Sequence, residues 1–479
     1  MTFEASELVP LVPEIFLLAM SSLVLIVDTF VHDEQRVVTY AVAQGAIIGT
    51  AVLAIVLYPV EPTVVFNGAF VSDGMSVVLK VFILLIGYFV FFYSRAYLRD
   101  RNLLKGEYFV LGLFAILGMM VLVSGYSLLT LYLGLELVSL SLYAMVGLNR
   151  DSLYASEAAM KYFVLGALSS GMLLYGISIL YGVSGTLSLD GLASYIALHA
   201  GDSVLLVFGL VFVVVGVAFK LGAVPFHMWI PDVYEGAPTS VTLFIGTAPK
   251  LAGFAMLMRF LVDGLSGLQG DWTQMLVILS ILSMGAGNII AIAQSNLKRM
   301  LAYSTIAHVG FLLLGVSAGT PGGYAASLFY AIVYALMAMG GFGMIILLSR
   351  QGFEADRLED FKGLNERSPW AAFLMLILMF SMGGIPPFLG FWAKWSVLRE
   401  IIDVDMVWLA GVAVFFAVIG LFYYLRVVRL MYFDKPEDTM PITHGTDMKV
   451  MISANALAIL VLGIYPGGLM ALCSAVLPY

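Results

Sequence analysis

The chain has 479 residues, 61% of them hydrophobic and only 11% charged, with a net charge of −8 and a mean hydropathy of +1.01. Soluble domains carry roughly 25% charged residues, so this composition excludes a water-facing surface and defines an integral membrane protein. The acidic balance excludes a nucleic-acid surface. The single cysteine, Cys473, excludes a disulfide framework and a self-contained iron–sulfur or zinc cluster. Neither a G-x-G-x-x-G nor a P-loop signature occurs, so no nucleotide is expected to bind by those routes.

The first nine residues hold Glu4 and Glu7 but no Lys or Arg. A secretory signal needs a basic start, so the first apolar run is expected to be a retained span. A helix needs about 20 apolar residues to cross hydrocarbon. Runs of that kind predict fourteen spans, near 10–31, 37–59, 74–95, 107–124, 126–149, 157–183, 202–234, 239–262, 273–294, 300–317, 322–349, 370–399, 405–431 and 450–473. The fold class is therefore an all-α integral membrane bundle, a single transmembrane domain over 1–479. Segment 190–199 reads equally well as a short interfacial helix or a loop.

Assigning loops alternately to two faces puts sixteen of the 23 Lys and Arg on one face and only Arg259 and Arg399 on the other. Basic loop residues stay on the cytoplasmic side, so both termini are predicted to be periplasmic. Five residues remain within spans, and all are lysines: Lys80, Lys161, Lys220, Lys250 and Lys394. Arginine keeps its proton in proteins, whereas a desolvated lysine can release one. Lysine is the cation to expect where a buried group must load and unload a proton.

A mid-bilayer charge costs about 2.5–3.5 kcal/mol on insertion scales, so such residues face a bundle interior and find partners. Lys250 lies about 16 Å into its span at 1.5 Å per residue, and Lys220 is similarly central. Lys394 lies closer to a span end. Lys80 and Lys161 lie near their span starts; Lys80 is expected to reach the interface, whereas Lys161 reads equally as an interfacial or a functional lysine. Glu157 stands four residues before Lys161, in the favoured order for a helix pair. Glu136, in YLGLELVSL, is the one matching mid-span acid. A carboxylate about 4 Å from a lysine interacts by about 4 kcal/mol at an effective dielectric near 20. Moving Glu136 toward or away from Lys220 would thus change the lysine's hold on its proton. The alternative is a static pair that fixes helix register.

His308 suits a proton relay or, equally, a neutral histidine bonded to a backbone carbonyl. Asp28 reads as a polar span end. His227, Asp232 and Glu235 suit either a water route or an ordinary helix end, and they lack metal-ligand spacing.

Two spans are broken. Pro225 follows Lys220 by five residues, and Gly383, Gly384, Pro386 and Pro387 precede Lys394. Proline removes a donor and clashes with the preceding turn, and irregular backbone at membrane depth survives only beside protein or a wet cavity. The breaks are five spans apart. An odd offset inverts orientation, as in an inverted-topology repeat. This predicts a first repeat over 106–262 (spans 4–8) and an inverted second repeat over 273–431 (spans 9–13), flanked by 1–105 and 450–479.

Stretches 218–254 (AFKLGAVPFHMWIPDVYEGAPTSVTLFIGTAPKLAGF), 293–315 (AQSNLKRMLAYSTIAHVGFLLLG) and 383–395 (GGIPPFLGFWAKW) resemble the antiporter-like membrane subunits of respiratory complex I, NADH–quinone oxidoreductase. Residues 131–171, which include LYLGLELVSL, resemble the subunit N branch of that family. A sister branch usually carries glutamate at the position of Lys394, and another continues into a long lateral helix beyond the position of Tyr479. The resemblance implies a proton-translocating role in which Glu136, Lys220, Lys250 and Lys394 carry protons, with His308 as a possible relay.

It also implies a bacterial inner-membrane location and partnership with other complex I membrane subunits and a hydrophilic arm. That arm would hold FMN and iron–sulfur clusters, with no cofactor or metal in this chain, and the quinone would be used by the whole complex. The competing readings are a subunit of a multi-subunit cation/proton antiporter and a membrane anchor with static charge pairs.

Overall fold

In hydrocarbon every backbone donor and acceptor must be satisfied internally, and apolar runs of this length do so as helices. The computed structural model describes residues 5–32, 36–199, 204–438, 440, 442 and 445–477. Glu4, Tyr479 and the first two residues of the expected span 202–234 lie outside them. The helices are α1 Val12–Phe30, α2 Val37–Val56, α3 Gly74–Asp100, α4 Gly106–Ser124, α5 Leu128–Val146, α6 Leu153–Ser184 and α7 Leu189–His199. There follow α8 Val204–Leu221, α9 Trp229–Gly236, α10 Thr239–Ile245, α11 Ala248–Leu257, α12 Gln269–Ile292, α13 Leu297–Ser317 and α14 Pro321–Leu348. The chain ends with α15 Leu364–Arg367, α16 Pro369–Gly383, α17 Leu389–Asp403, α18 Val407–Phe433, α19 Thr446–Ile464 and α20 Gly467–Ala475.

Among the described residues thirteen helical stretches are long and apolar enough to cross a membrane. The remaining expected span, 370–399, is divided into two shorter helices, α16 and α17. Segment 190–199 is helical, as α7. One feature departs from an all-α chain. Strands β1 Thr63–Val65 and β2 Phe70–Ser72 pair antiparallel between α2 and α3. Their turn takes positive φ at Phe66, Asn67 and Gly68, the backbone that an Asn-Gly step between apolar residues favours.

The chain forms two compact units. The first comprises 1–91, 104–221 and 248–275, and the second 92–103, 222–247 and 276–479. In the first, α4 and α5 meet through small residues. A Cβ added at Gly118 would lie 2.8 Å from the Val138 nitrogen, and one at Gly134 would lie 2.7 Å from the Leu122 nitrogen. This is the close backbone approach by which membrane helices associate without a hydrophobic driving force. In the second unit, α13 and α14 are buried along nearly their whole length.

Both breaks stop at a glycine in the left-handed region. Gly222 has φ +86° and Gly384 has φ +83°, conformations that cost other residues a Cβ clash. The expected span 239–262 also breaks, between α10 and α11 at Gly246 and Thr247. It ends in a π-helical turn over Met258–Gly264.

Candidate functional site

A helix that stops inside a membrane leaves its last carbonyls without partners, and lysines meet those carbonyls in both units. In the first unit α8 ends at Leu221, and Lys250 donates from Nζ to the Leu221 carbonyl at 2.9 Å. Lys250 sits in the first turn of α11 and is only 2% exposed. Lys220, the penultimate residue of α8, turns elsewhere. Its Nζ donates to Ser139 Oγ at 2.9 Å, and Ser139 donates to the Leu135 carbonyl at 2.7 Å. Glu136 stands three residues from Ser139 on α5. Its Oε1 is buried with no hydrogen-bond partner. Among the described residues Lys220 and Glu136 form no ion pair; the lysine's partner is the serine.

The first unit also overturns two expectations. Lys80 does not reach an interface. It is 2% exposed, its Nζ lies 2.7 Å from Glu14 Oε1, and it stands 5.0 Å over the Phe70 ring. The cause is Glu14, an acid on α1 that lowers the cost of keeping the ammonium buried. Nor are lysines the only basic residues within spans. Arg259, assigned to a loop from sequence, lies in the π-helical turn at 2% exposure. Its guanidinium donates to Asp73 at 2.8 Å, Asp263 at 2.9 Å and the Val123 carbonyl at 3.3 Å. A planar five-donor group suits such fixed, multiply bonded pairing. Lys161 is exposed and pairs with Glu157 at 2.9 Å, as its spacing predicts. Asp28 is held by Arg36 and by Thr39, whose Oγ1 donates at 2.8 Å.

In the second unit Lys394, on α17, reaches back to the end of α16. Its Nζ donates to the Met382 carbonyl at 3.1 Å and the Gly383 carbonyl at 2.9 Å, and lies 5.5 Å from the Phe311 ring centroid. Phe311 in turn stacks on Tyr330. His308 is 4% exposed. Its Nδ1 lies 2.7 Å from Tyr330 Oη and its Nε2 3.1 Å from Tyr424 Oη. Tyr424 Oη continues to Ser304 Oγ at 2.5 Å. The bond to a backbone carbonyl that the sequence allowed for His308 is thus replaced by two phenols.

Serines also meet the amides freed by the breaks. Ser283 Oγ accepts from the Val224 N–H at 2.9 Å, and Ser381 Oγ accepts from the Gly390 N–H at 3.0 Å. Asp232 and Glu235 are both bonded by Arg299, at 2.8 and 2.9 Å, as an ordinary ionic helix end. His227 Nδ1 is buried without a partner. Lys298, counted from sequence as a loop residue, is buried and caps α9 through the Glu235 and Ala237 carbonyls at 3.0 and 2.7 Å.

Sequence reasoning missed Ser139, Ser283, Ser381, Tyr330, Tyr424, Lys298 and the Glu14–Lys80 pair. Only the last carried a usable signal, an acid at the start of the apolar first span.

A bundle of membrane-crossing helices, two of them broken beside buried lysines, defines an antiporter-like membrane protein. Residues 125–420 match the family described as NADH:quinone oxidoreductase/Mrp antiporter, TM. The chain is 60% identical over 480 residues to an NADH-quinone oxidoreductase subunit N of Thioalkalivibrio sulfidiphilus, covering 100% of both chains. It is 59% identical to a subunit N of Thiobacillus denitrificans, covering 99% of this chain and 98% of that one. A chain of respiratory complex I from Thermus thermophilus superposes with TM-score 0.83 at 29% identity, covering 96% of this chain and 99% of the other. A chain of the Mrp complex from Dietzia shares the fold, with TM-score 0.83 at 20% identity over 99% and 97% of the two chains. The chain belongs to the NADH-quinone oxidoreductase subunit N family, and it is a multi-pass membrane protein.

Proposed function

We propose that this chain is a proton-translocating membrane subunit of an NADH–quinone oxidoreductase, in which Glu136, Lys220 and Lys250 of one unit and His308 and Lys394 of the other carry protons. The observation that supports this most is the use of lysine at both broken helices. Lys250 and Lys394 each hold carbonyls that a break has freed, and Lys220 is bonded to a single hydroxyl. Arg259, by contrast, is a buried guanidinium fixed by bonds to two carboxylates and a carbonyl. A lysine amine can give up its proton and keep a lone pair, which a guanidinium cannot.

In this reading redox energy released in partner subunits, which hold flavin and iron–sulfur clusters, reaches the chain as changes in charge or conformation. Moving one charge across the membrane costs about 2.3 kcal/mol per 100 mV. The opening and closing of one Glu136–Lys220 contact, worth about 4 kcal/mol at 4 Å and an effective dielectric near 20, is of the right size. The chain acts as part of a translocase, sits in the bacterial inner membrane with both termini periplasmic, and contacts other membrane subunits and lipid. Quinone is used by the complex as a whole. Segments 106–262 and 273–431 are the two inverted repeats of this reading.

The test is purification of the complex containing this chain, followed by proton pumping measured alongside electron transfer. Flavin and iron–sulfur subunits are expected to co-purify, and Glu136→Ala and Lys250→Ala are expected to assemble but pump poorly. Co-purification with cation/proton antiporter subunits alone, or normal pumping by both variants, would overturn the reading.

A further inference from the structure

Ser139 stands between the two charged groups of the first site. It is buried at 2% exposure on α5, and its hydroxyl has a single proton and two lone pairs. That proton is committed to the Leu135 carbonyl, 2.7 Å away in the preceding turn. The lone pairs are thereby turned outward, and Lys220 Nζ donates to them at 2.9 Å. Glu136 lies three residues earlier on α5, and residues so spaced are surface neighbours on a helix. Its Oε1 is buried without a hydrogen-bond partner. Two acceptors thus stand within a turn of each other on α5: the serine oxygen that holds the ammonium, and a carboxylate oxygen with no hydrogen-bond partner among the described residues.

We propose that Ser139 is a positioning residue that holds Lys220 off Glu136, making their ion pair one that opens and closes instead of one that stays shut. This rests on the proton-translocating reading given above. A charge-assisted bond is roughly twice as strong as a neutral one, so a lysine with no other acceptor would remain on the carboxylate. A buried ammonium with no acceptor at all is strongly penalised. Ser139 supplies the second resting place and so removes that penalty from the open state. Its hydroxyl is fixed by backbone that belongs to its own helix, so the resting place does not depend on the state of Glu136. Neither Leu135 nor Ser139 titrates, and the serine stays neutral throughout the cycle.

The test uses the whole purified complex carrying Ser139→Ala, with Ser139→Thr as the variant that keeps the hydroxyl. Two quantities are read: proton pumping per electron transferred, and the position of Lys220 in a structure of the assembled complex. Ser139→Ala is expected to lower pumping about tenfold, the change that one factor of ten in an equilibrium constant represents, with Lys220 Nζ moved onto Glu136. Ser139→Thr is expected to retain most of the pumping and the original lysine position. The assignment is overturned if Ser139→Ala leaves Lys220 where it is, if it pumps as the unaltered complex does, or if Ser139→Thr is as impaired as Ser139→Ala. Glu136→Gln separates the two levels of the argument. Normal pumping by that variant defeats the underlying reading, while impairment of Glu136→Gln beside normal pumping by Ser139→Ala defeats only the role of Ser139.

Discussion

At the first break the Leu221 carbonyl is met by Lys250, a residue of α11, while the broken helix's own lysine, Lys220, turns to Ser139. At the second break one lysine serves, with Lys394 reaching back to the Met382 and Gly383 carbonyls and over the face of Phe311. Among the described residues the first site therefore groups two lysines with a glutamate. Among the same residues the second groups one lysine with carbonyl dipoles, a ring face, and a histidine between two phenols. On the proposed reading the first is driven by electrostatics, whereas the second receives and releases a proton, and that difference is open to direct attack.

The largest effect expected is on stability, and it contrasts two carboxylates of the first unit. Glu14 is closed on Lys80 at 2.7 Å in a fully buried pair. Removing one partner of such a pair costs about 3–5 kcal/mol, so Glu14→Gln should lower the amount of assembled complex and its thermal midpoint sharply. Glu136 forms no ion pair among the described residues, Lys220 being held by Ser139, so Glu136→Gln should leave the midpoint nearly unchanged and lower pumping instead. Equal destabilisation by both would erase the distinction between a static and a working carboxylate.

Next in size is Lys394→Ala, which removes the lysine that holds the carbonyls of the second break. Proton-transfer groups commonly contribute 10²–10⁴-fold, and pumping by the assembled complex should fall at least about tenfold. Retained pumping would show that the second break is capped but not used.

Tyr424→Phe sharpens the account of the neutral relay. It removes one of the two hydroxyls on His308 and keeps the ring, so pumping should fall about threefold, or ~0.65 kcal/mol, with stability little changed. A variant that pumps normally would confine the relay to Tyr330.

The smallest effect lies outside the spans. Asp438 is bonded by Arg350 at 2.7 Å and Arg367 at 2.8 Å. The hydrogen bond from Arg350 leads the effects that hold its carboxyl below the usual range, against some desolvation. A depressed carboxylate contributes stability above its unfolded pKa, about 3.9, and loses that contribution as pH falls through the folded value. Asp438→Asn should therefore cost about 0.2–0.5 kcal/mol near neutral pH, as partly exposed pairs do, and the difference should vanish in acid. A cost that grows as pH falls would contradict this sign.

Much of this was legible before any coordinates. Hydrocarbon thickness sets a length that apolar runs must meet, so all fourteen expected spans correspond to helices, and Pro225, Pro386 and Pro387 mark the two breaks. Lys220, Lys250 and Lys394 stood out because charge is rare at depth. The partners did not. A serine such as Ser139 is cheap anywhere in an apolar helix, and its meeting with Lys220 joins positions 81 residues apart. Tyrosines at 330 and 424 look like ordinary apolar bulk until the packing turns both hydroxyls onto His308. Arg259 stands at a span's end, where sequence does not separate loop from helix, and a π-helical turn carries the helix through it. Depth counted along one helix leaves Lys80 near an interface, and its partner Glu14 comes from another helix.

The central claim is that the cations at the breaks must shed protons, not merely be positive. Lys220→Arg tests it most directly, with proton pumping by the assembled complex as the readout. Arginine keeps the charge and the reach but holds its proton. The account predicts assembled complex with pumping lowered at least about tenfold. Pumping at the unaltered rate by Lys220→Arg would contradict it.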